Sequence, residues 1–300
     1  IAADHNQLLM ELMKKVALRH NLVCLLHEKP FAGINGSGKH LNWSLADDQG
    51  NNLLNPGETP EDNLQFLAVL AAVLKAVYTH SDLLRASVAM AGNEHRLGAN
   101  EAPPAIMSVF LGNQLTAILD MIEKGSKNKA SKRDIIDLGV TRLPKFNKDS
   151  TDRNRTSPFA FTGNKFEFRA VGSSQNISTP IAVINTIIAE SLDYVAERIK
   201  KASAGKDFSP AVLKVIAELV KETKDIRFEG NNYSEDWIKE AKKRGLPNVA
   251  STVDALKALE KKENIALFEK YKVFSKEELL ARHKIWVDLY NLTLEIEANT

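Results

Sequence analysis

The stretch GINGSGKH, residues 33–40, places glycines, a lysine and a histidine at a spacing that could bind phosphate. It matches the phosphate-binding loop G-x-x-x-x-G-K-[ST] except at the last position, where His40 replaces the hydroxyl that holds Mg²⁺. Such a loop must also open a helix, because the free N–H groups of the helix bind the anion. The residues after Lys39 alternate between polar and apolar, which predicts a strand. The phosphate-loop interpretation therefore fails.

The predicted strand HLNWSL, residues 40–45, has a polar face formed by His40, Asn42 and Ser44. The glycines before it let the backbone approach a small ligand closely. On this interpretation His40 is the first polar side chain inside a cavity. A solvent-facing edge strand after a glycine hairpin is the alternative, and the pattern alone leaves both open.

A second alternating segment, KFEFR, places Glu167 and Arg169 on one face of a strand and two phenylalanines on the other. Taken alone, this charged face is typical of an exposed surface. If the two strands share a sheet, however, His40 and Glu167 could both bind one hard divalent cation. The sequence thus raises a metal site as a hypothesis.

Four motifs in this chain resemble those of a known family. GINGSGKHLNWSL resembles the ATP-region motif of glutamine synthetases, and HRLGANEAPPA resembles their Arg-then-Glu-Ala-Pro flap. DRNR and FEFR resemble the later arginine pair and the Glu-x-Arg strand, and all four occur in the family's order. The segment HEKPFAG and an inserted basic stretch resemble the type III branch.

The resemblance implies ATP-dependent ligation of ammonia to L-glutamate through a γ-glutamyl phosphate. The cofactor implied is Mg²⁺ or Mn²⁺, with ATP as co-substrate. The implied roles by residue are metal binding for His40 and Glu167; substrate binding for Asn35, Gly36, Arg96 and Arg169; nucleotide binding for Ser44, Asn42, Arg153 and Arg155; and catalysis for Glu101 and Arg155.

This sequence departs from the family pattern in places. Asn42 stands where many members have a second histidine. By the resemblance, the family's other metal-binding glutamates and its small N-terminal domain precede residue 1. The family's active site also borrows residues from a neighbouring subunit of a ring. We therefore expect a homo-oligomer, and we expect this chain alone not to make glutamine.

Composition sets limits on the class of protein. The 300 residues are 44% hydrophobic and 26% charged, which suits a globular chain with a sizeable core. The net charge of +2 argues against a wholly basic nucleic-acid-binding surface. Cys24 is the only cysteine, so we expect no internal disulfide and a cytoplasmic location. No apolar run approaches the ~20 residues of a membrane span, so no membrane partner is expected.

The coarse pattern predicts an α+β fold, with an antiparallel sheet backed by helices and a helical C-terminal region. A helix is expected from Asp4 to about residue 20, then a short buried strand at LVCLL, and one long apolar helix from Asp62. Residues 1–180 are predicted to form the catalytic core, with a basic insertion at about 123–155. Residues 181–300 are predicted to be mainly helical.

Serines mark several helix starts in this helical region. Helices are expected after Ser209, Ser234 and Ser251, and Ser275 with Glu278 predicts a capping box. The segment AGNEHRLGANEAPPA reads as a loop because of its Gly, Asn and Pro spacing.

Two other functions remain open at this point. The chain could belong to a γ-glutamyl ligase that uses a polyamine or related amine in place of ammonia. Alternatively, it could be a regulatory or assembly paralogue without catalysis. The matched charges of Arg96, Glu167 and Arg169 favour an enzyme, since an idle site does not need them.

Overall fold

The polar motifs lie on a small sheet, and helices cover its apolar face. A computed structural model describes residues 1–100, 102–125 and 156–299, and it adds the backbone of 135–136 and 146–147. The strands are β1 (Gly38–Trp43), β2 (Val109–Phe110), β3 (Ile135–Ile136), β4 (Phe146–Asn147), β5 (Phe159–Phe161) and β6 (Phe166–Gly172). The α-helices are α1 (Ala2–Arg19), α2 (Leu64–Thr79), α3 (Ser81–Ser87), α4 (Ala91–Arg96), α5 (Asn113–Glu123), α6 (Ser178–Ser203), α7 (Phe208–Glu222), α8 (Glu235–Lys243), α9 (Thr252–Leu256), α10 (Lys262–Lys270) and α11 (Lys276–Ala298).

The main sheet has the strand order β1-β6-β5-β2. Strand β6 pairs antiparallel with both β1 and β5, whereas β2 pairs parallel with β5. The sheet is therefore mixed rather than wholly antiparallel, and the predicted α+β class is confirmed. Strands β3 and β4 form a separate antiparallel pair.

One face of this sheet is apolar and belongs to the core. The Phe159 and Phe166 rings stack with centroids 5.0 Å apart, and Phe161 lies 6.0 Å from Phe66 of α2. On β1, Trp43 donates its indole N–H to Asn185 of α6 at 2.9 Å. Each large side chain buried in this way stabilises the fold by about 1.5–3 kcal/mol. The alternation of apolar residues in β1 and β6 thus determines which face of the sheet carries the polar residues.

The predicted long apolar helix is broken in two. It begins at Leu64, where the N-cap Asn63 accepts the Phe66 N–H at 3.0 Å, and α3 follows α2 at a bend of 74°. At the break, His80 lies 2.6 Å from Glu190 of α6. Among the described helices none alone is long and apolar enough to cross a membrane, although the bent pair α2 and α3 together meets that test.

The predicted serine caps are confirmed at Ser234, Ser251 and Ser275, whereas α7 begins at Phe208 with Asp207 as its N-cap, so the predicted start after Ser209 is wrong. Ser234 and Ser251 accept backbone N–H groups at the starts of α8 and α9, and Ser275 with Glu278 forms the complete capping box of α11. Helix α6 begins at Ser178, so the boundary predicted near residue 180 falls in its first turn. The division into domains stays a prediction, and the basic insertion lies mostly outside the described residues.

The N-terminal expectations are partly wrong. Helix α1 forms, but its N-cap is Ile1 without a side-chain cap bond, so Asp4 does not cap it. The segment LVCLL is not a strand, and Leu22, Val23 and Leu25 are exposed. An apolar run becomes a buried strand only where a neighbour pairs with it, and no described strand does so here.

Candidate functional site

Strands β1 and β6 are neighbours, and they present their polar residues on one face. Asn42 lies opposite Glu167 in the register, so the two side chains point to the same side. His40 lies at an irregularity of the pairing between Lys39 and Leu41. The predicted alternation is observed on β1, where Leu41 and Trp43 are buried and His40 and Asn42 are exposed.

The imidazole of His40 and the carboxylate of Glu167 meet on this face. His40 Nδ1 lies 3.4 Å from Glu167 Oε2, with side-chain exposures of 35% and 18%. Two ligands bound to Mg²⁺ at about 2.1 Å and at right angles are about 3 Å apart. The observed spacing therefore suits two ligands of one cation, and imidazole with carboxylate is a suitable donor pair.

The Glu167 carboxylate is surrounded by cations. Lys165 Nζ lies 3.0 Å from its Oε1, and Arg169 Nε donates to its Oε2 at 3.2 Å. Burial by itself raises the pKa of Glu167, but the hydrogen bonds and charges of Lys165 and Arg169 outweigh burial and hold that pKa below its usual value. The carboxylate is therefore ionised at neutral pH, as a metal ligand must be.

A complete metal site is not present in the described part of the chain. No group of three or more His, Cys, Asp or Glu side chains there could hold a metal ion. His40 and Glu167 fit as two members of a larger ligand set. Their metal role stays a prediction.

Arg96 reaches the site region from helix α4, a segment that the sequence predicted to be a loop. It is buried, and its Nη1 donates to Asn93 Oδ1 at 3.0 Å and to the Val171 carbonyl at 3.4 Å. Its Nη2 donates to the Arg169 carbonyl at 3.1 Å. The guanidinium thus joins α4 to β6, and most of its donors are used within the chain.

Burial also changes the electrostatics of Arg96. Desolvation lowers the pKa of its guanidinium, and the charge of Glu28 partly opposes that change. A buried cation of this kind attracts an anion more strongly than an exposed one, because the local dielectric is low.

The glycines of residues 33–38 make room for protein groups. A methyl group on Gly38 would overlap the Arg96 guanidinium, and one on Gly36 would lie 2.6 Å from the Glu28 carbonyl oxygen. Of the three glycines, only Gly33 has a positive φ, +76°. The sequence predicted that these glycines make space for a small ligand. In the structure, Gly38 and Gly36 make space for Arg96 and Glu28.

The remaining predicted residues divide into two groups. Asn35 lies exposed in the glycine loop, Gly36 is half-buried in it, and Ser44 follows β1 on the exposed side. Glu101, Arg153 and Arg155 lie outside the described residues, so their predicted roles stay predictions.

Sequence reasoning missed two buried polar residues beside the site. Asn93 donates to the Val88 and Ala170 carbonyls, both at 2.8 Å, and is fully buried. Glu28 is 1% exposed and accepts from both the N–H and the hydroxyl of Ser174. The available signal for Glu28 was its place in the segment HEKPFAG, five residues before Gly33.

Two family models match this chain on either side of its centre. The model described as "Glutamine synthetase, catalytic domain" matches residues 1–108. The model described as "Glutamine synthetase C-terminal domain" matches residues 211–300. The chain belongs to the glutamine synthetase family.

Three curated glutamine synthetases align with the whole chain. A protein named "Type-3 glutamine synthetase" from Dictyostelium discoideum is 52% identical over 300 residues, covering 100% of this chain and 41% of that protein. A glutamine synthetase from Bacteroides fragilis (strain YCH46) is 45% identical, covering 99% of this chain and 41% of that protein. One from Butyrivibrio fibrisolvens is 44% identical, covering 100% of this chain and 42% of that protein. The first of these agrees with the predicted type III branch.

Solved structures with a related fold support the same architecture. "Apo GmaS without ligand" superposes with a TM-score of 0.56 at 17% identity, covering 98% of this chain and 50% of that one. "GmaS/ADP complex-Conformation 1" superposes with a TM-score of 0.55 at 18% sequence identity, covering 98% of this chain and 51% of that one. At these identities the likeness shows the fold alone. The chain spans less than half the length of the curated glutamine synthetases it matches.

Proposed function

We propose that the full-length protein carrying this chain ligates ammonia to L-glutamate at the expense of ATP, giving L-glutamine. The glutamate γ-carboxylate attacks the γ-phosphorus of ATP, which forms γ-glutamyl phosphate and releases ADP. Ammonia then attacks the acyl carbon, phosphate leaves with the C–O bonding electrons, and the nitrogen loses a proton. The His40–Glu167 pair, 3.4 Å apart in a chain of this family, is the observation that carries the proposal.

Phosphoryl transfer is catalysed chiefly by positioning and by charge stabilisation. His40 and Glu167 would hold Mg²⁺ or Mn²⁺, which supplies neutralisation of phosphate charge when bound. Lys165 and Arg169 keep the Glu167 carboxylate ionised and oriented toward the shared face. This chain thus provides part of the metal site, with the other ligands coming from outside the described residues.

The substrate side of the site would use the glycine loop and two arginines. Asn35 and Gly36 would contact glutamate, and Arg96 and Arg169 would take its carboxylates as charge-assisted partners. Arg96 already donates to three acceptors of its own chain. A substrate carboxylate would therefore have to bind its remaining N–H groups.

Further roles follow from the family resemblance. Arg155, with help from Arg153, would stabilise the transferring phosphoryl group, and Glu101 would shield the intermediate and take a proton from ammonium. Ser44 and Asn42, at the end of β1, would contact the nucleotide. We also propose that the full-length protein forms a ring-shaped homo-oligomer and lies in the cytoplasm. Sedimentation of the full-length protein measures its oligomeric state.

An amine-competition assay tests this function on the full-length protein. Phosphate release and glutamine formation are measured with ATP, L-glutamate and ammonia, and then with a polyamine in place of ammonia. We expect glutamate-dependent phosphate release and glutamine with ammonia. A preference for the polyamine would instead assign the protein to another class of γ-glutamyl ligase. No glutamate-dependent phosphate release with any amine would favour a paralogue without catalysis.

A further inference from the structure

Glu28 is the only carboxylate among the described residues that is buried in the chain. Burying an ionised carboxylate is unfavourable unless hydrogen bonds and nearby cations compensate for the lost water. Its Oε1 accepts the Ser174 N–H at 2.7 Å and the Ser174 hydroxyl at 2.6 Å. The positive charges of Lys39 and Arg96 interact with it at longer range. A buried charge held in this way requires an explanation.

The contacts of Glu28 join three segments that carry proposed site residues. Its carbonyl oxygen accepts the Ser37 N–H at 2.8 Å, which closes the glycine loop. Its carboxylate packs on Gly92, in the first turn of α4, so closely that a methyl group there would overlap it. It also packs on Gly172 at the end of β6, where a methyl group would lie 2.7 Å from Oε1.

Each of these segments has a separate part in the proposed substrate site. The glycine loop carries Asn35 and Gly36, α4 carries Arg96, and β6 carries Arg169. The backbone carbonyl of Glu28 contacts the first of these segments, and its carboxylate contacts the other two. A displacement of about 1 Å in such a group can lower catalysis a hundredfold.

We infer that Glu28 is a positioning residue for glutamate binding: its backbone carbonyl holds the glycine loop, and its buried carboxylate holds α4 and the end of β6, in the arrangement that receives the substrate carboxylates. This inference rests on the proposed function. Glu28 itself does not contact substrate, and it acts through Ser174, Gly92 and Gly172. Its negative charge also balances the two buried or half-buried cations beside it.

The test compares Glu28→Gln with wild type in the full-length protein, by steady-state kinetics with each substrate varied in turn. Glutamine keeps an acceptor oxygen for Ser174 but removes the charge. We expect the KM for glutamate to rise about tenfold, as for the loss of one charged interaction, and the KM for ATP to stay within about twofold. An unchanged KM for glutamate, or an equal rise in both KM values, would overturn the inference.

Two further variants make the result specific. Glu229→Gln is the matched control: like Glu28, that carboxylate accepts backbone N–H and hydroxyl groups, here two N–H groups and one hydroxyl, but at the β2 end of the sheet. It should leave both KM values unchanged. Ser174→Ala keeps the charge of Glu28 and removes one donor, so the KM for glutamate should rise by about two- to fivefold. If Glu28→Gln does not fold, an unchanged KM in Ser174→Ala overturns the inference by itself.

The two proposals fail in different ways in this experiment. Wild-type protein that neither binds glutamate in calorimetry nor forms glutamine would overturn the proposed function, and the Glu28 inference with it. Active wild-type enzyme with an unaffected Glu28→Gln variant would overturn only the role of Glu28.

Discussion

His40 and Glu167 lie far apart in the sequence, yet their side chains are 3.4 Å apart on one face of the sheet. The spacing arises from strand pairing, because directly opposed and next-but-one residues of an antiparallel pair share a face. At the scale of single residues, we therefore predict that both side chains bind the same cation.

His40→Ala should weaken the binding of Mg²⁺ and nucleotide to the full-length protein by tenfold or more. The loss of one ligand removes both a metal bond and the group that orients its neighbours. Isothermal titration calorimetry with Mg²⁺ and a non-hydrolysable ATP analogue measures the change.

A matched control for this variant is His283→Ala. The His283 ring also lies close to a carboxylate, 3.1 Å from Glu260, but on helix α11 rather than on the sheet. Its removal should leave nucleotide affinity unchanged. Equal affinity in His40→Ala and wild type would contradict the metal role.

Gly38→Ala should destabilise the chain by about 1–3 kcal/mol, because the added methyl group overlaps the Arg96 guanidinium. In an Arg96→Ala background the same methyl group meets no guanidinium. The penalty of Gly38→Ala should therefore shrink in the double-mutant cycle, measured by urea unfolding. Strict additivity of the two changes would show that Arg96 and Gly38 do not contact each other in solution.

Individual residues differ in how far the sequence alone could place them. His40 and Glu167 were predictable because alternation assigns each to a face without any tertiary information. The substrate-binding role of Arg96 stays a prediction, but its burial against the β6 carbonyls could not be predicted. Its environment depends on the packing of α4 against the sheet, which no local pattern encodes.

At the scale of elements, the C-terminal helix α11 is attached to the segments around the site. Glu297 near its end binds His27 and His95, each at 2.9 Å, and Tyr290 donates to Glu94 of α4 at 3.0 Å. His27 immediately precedes Glu28, and His95 precedes Arg96. The helical region thus bears directly on the elements that position the proposed site.

Glu297→Gln should lower the stability of the full-length protein at pH 7 and have little effect in acid. Burial alone raises the pKa of Glu297, but hydrogen bonds from His27 and His95 outweigh burial and lower it. A carboxyl with a lowered folded-state pKa stabilises the protein above its ordinary pKa of about 4.3, and this stabilisation is lost as the pH falls through the folded value.

Urea unfolding of wild type and Glu297→Gln at pH 7 and at about pH 3.5 measures this dependence. The exposed neighbour Glu295 provides the control variant Glu295→Gln. A stability difference that persists unchanged in acid would contradict the ion-pair explanation.

Elements with local signals were predictable, and those that depend on partners were not. The Ser275 capping box and the strand around Glu167 follow from residues within a few positions of each other. At the bend between α2 and α3, His80 contacts Glu190 of distant α6, and such a long-range contact is not visible in the local sequence. The strand predicted at LVCLL was wrong for a similar reason, because a hydrophobic sequence does not reveal whether another strand pairs with it.

At the scale of the whole molecule, we predict that the chain supplies only part of the proposed active site. It covers 41–42% of the curated relatives, and the described residues contain no group of three metal-binding side chains. The composition predicted a globular chain, and the pattern of elements predicted the α+β class. It could not indicate how the remaining ligands are provided.

The 300-residue chain by itself should form no glutamine from glutamate, ammonia and ATP, whereas the full-length protein should. Mg²⁺ binds about six oxygen or nitrogen ligands, and His40 and Glu167 would supply only two of them. We therefore expect the isolated chain to bind the cation weakly. Parallel product assays at equal molar concentration measure the difference. Comparable glutamine formation by the isolated chain would show that it contains a complete site.

The most direct test of the shared cation is anomalous diffraction from crystals of the full-length protein grown with Mn²⁺ and nucleotide. We predict an anomalous peak within bonding distance, about 2.1–2.3 Å, of both His40 Nδ1 and Glu167 Oε2. Mn²⁺ peaks bound elsewhere, with none touching these two side chains, would contradict it.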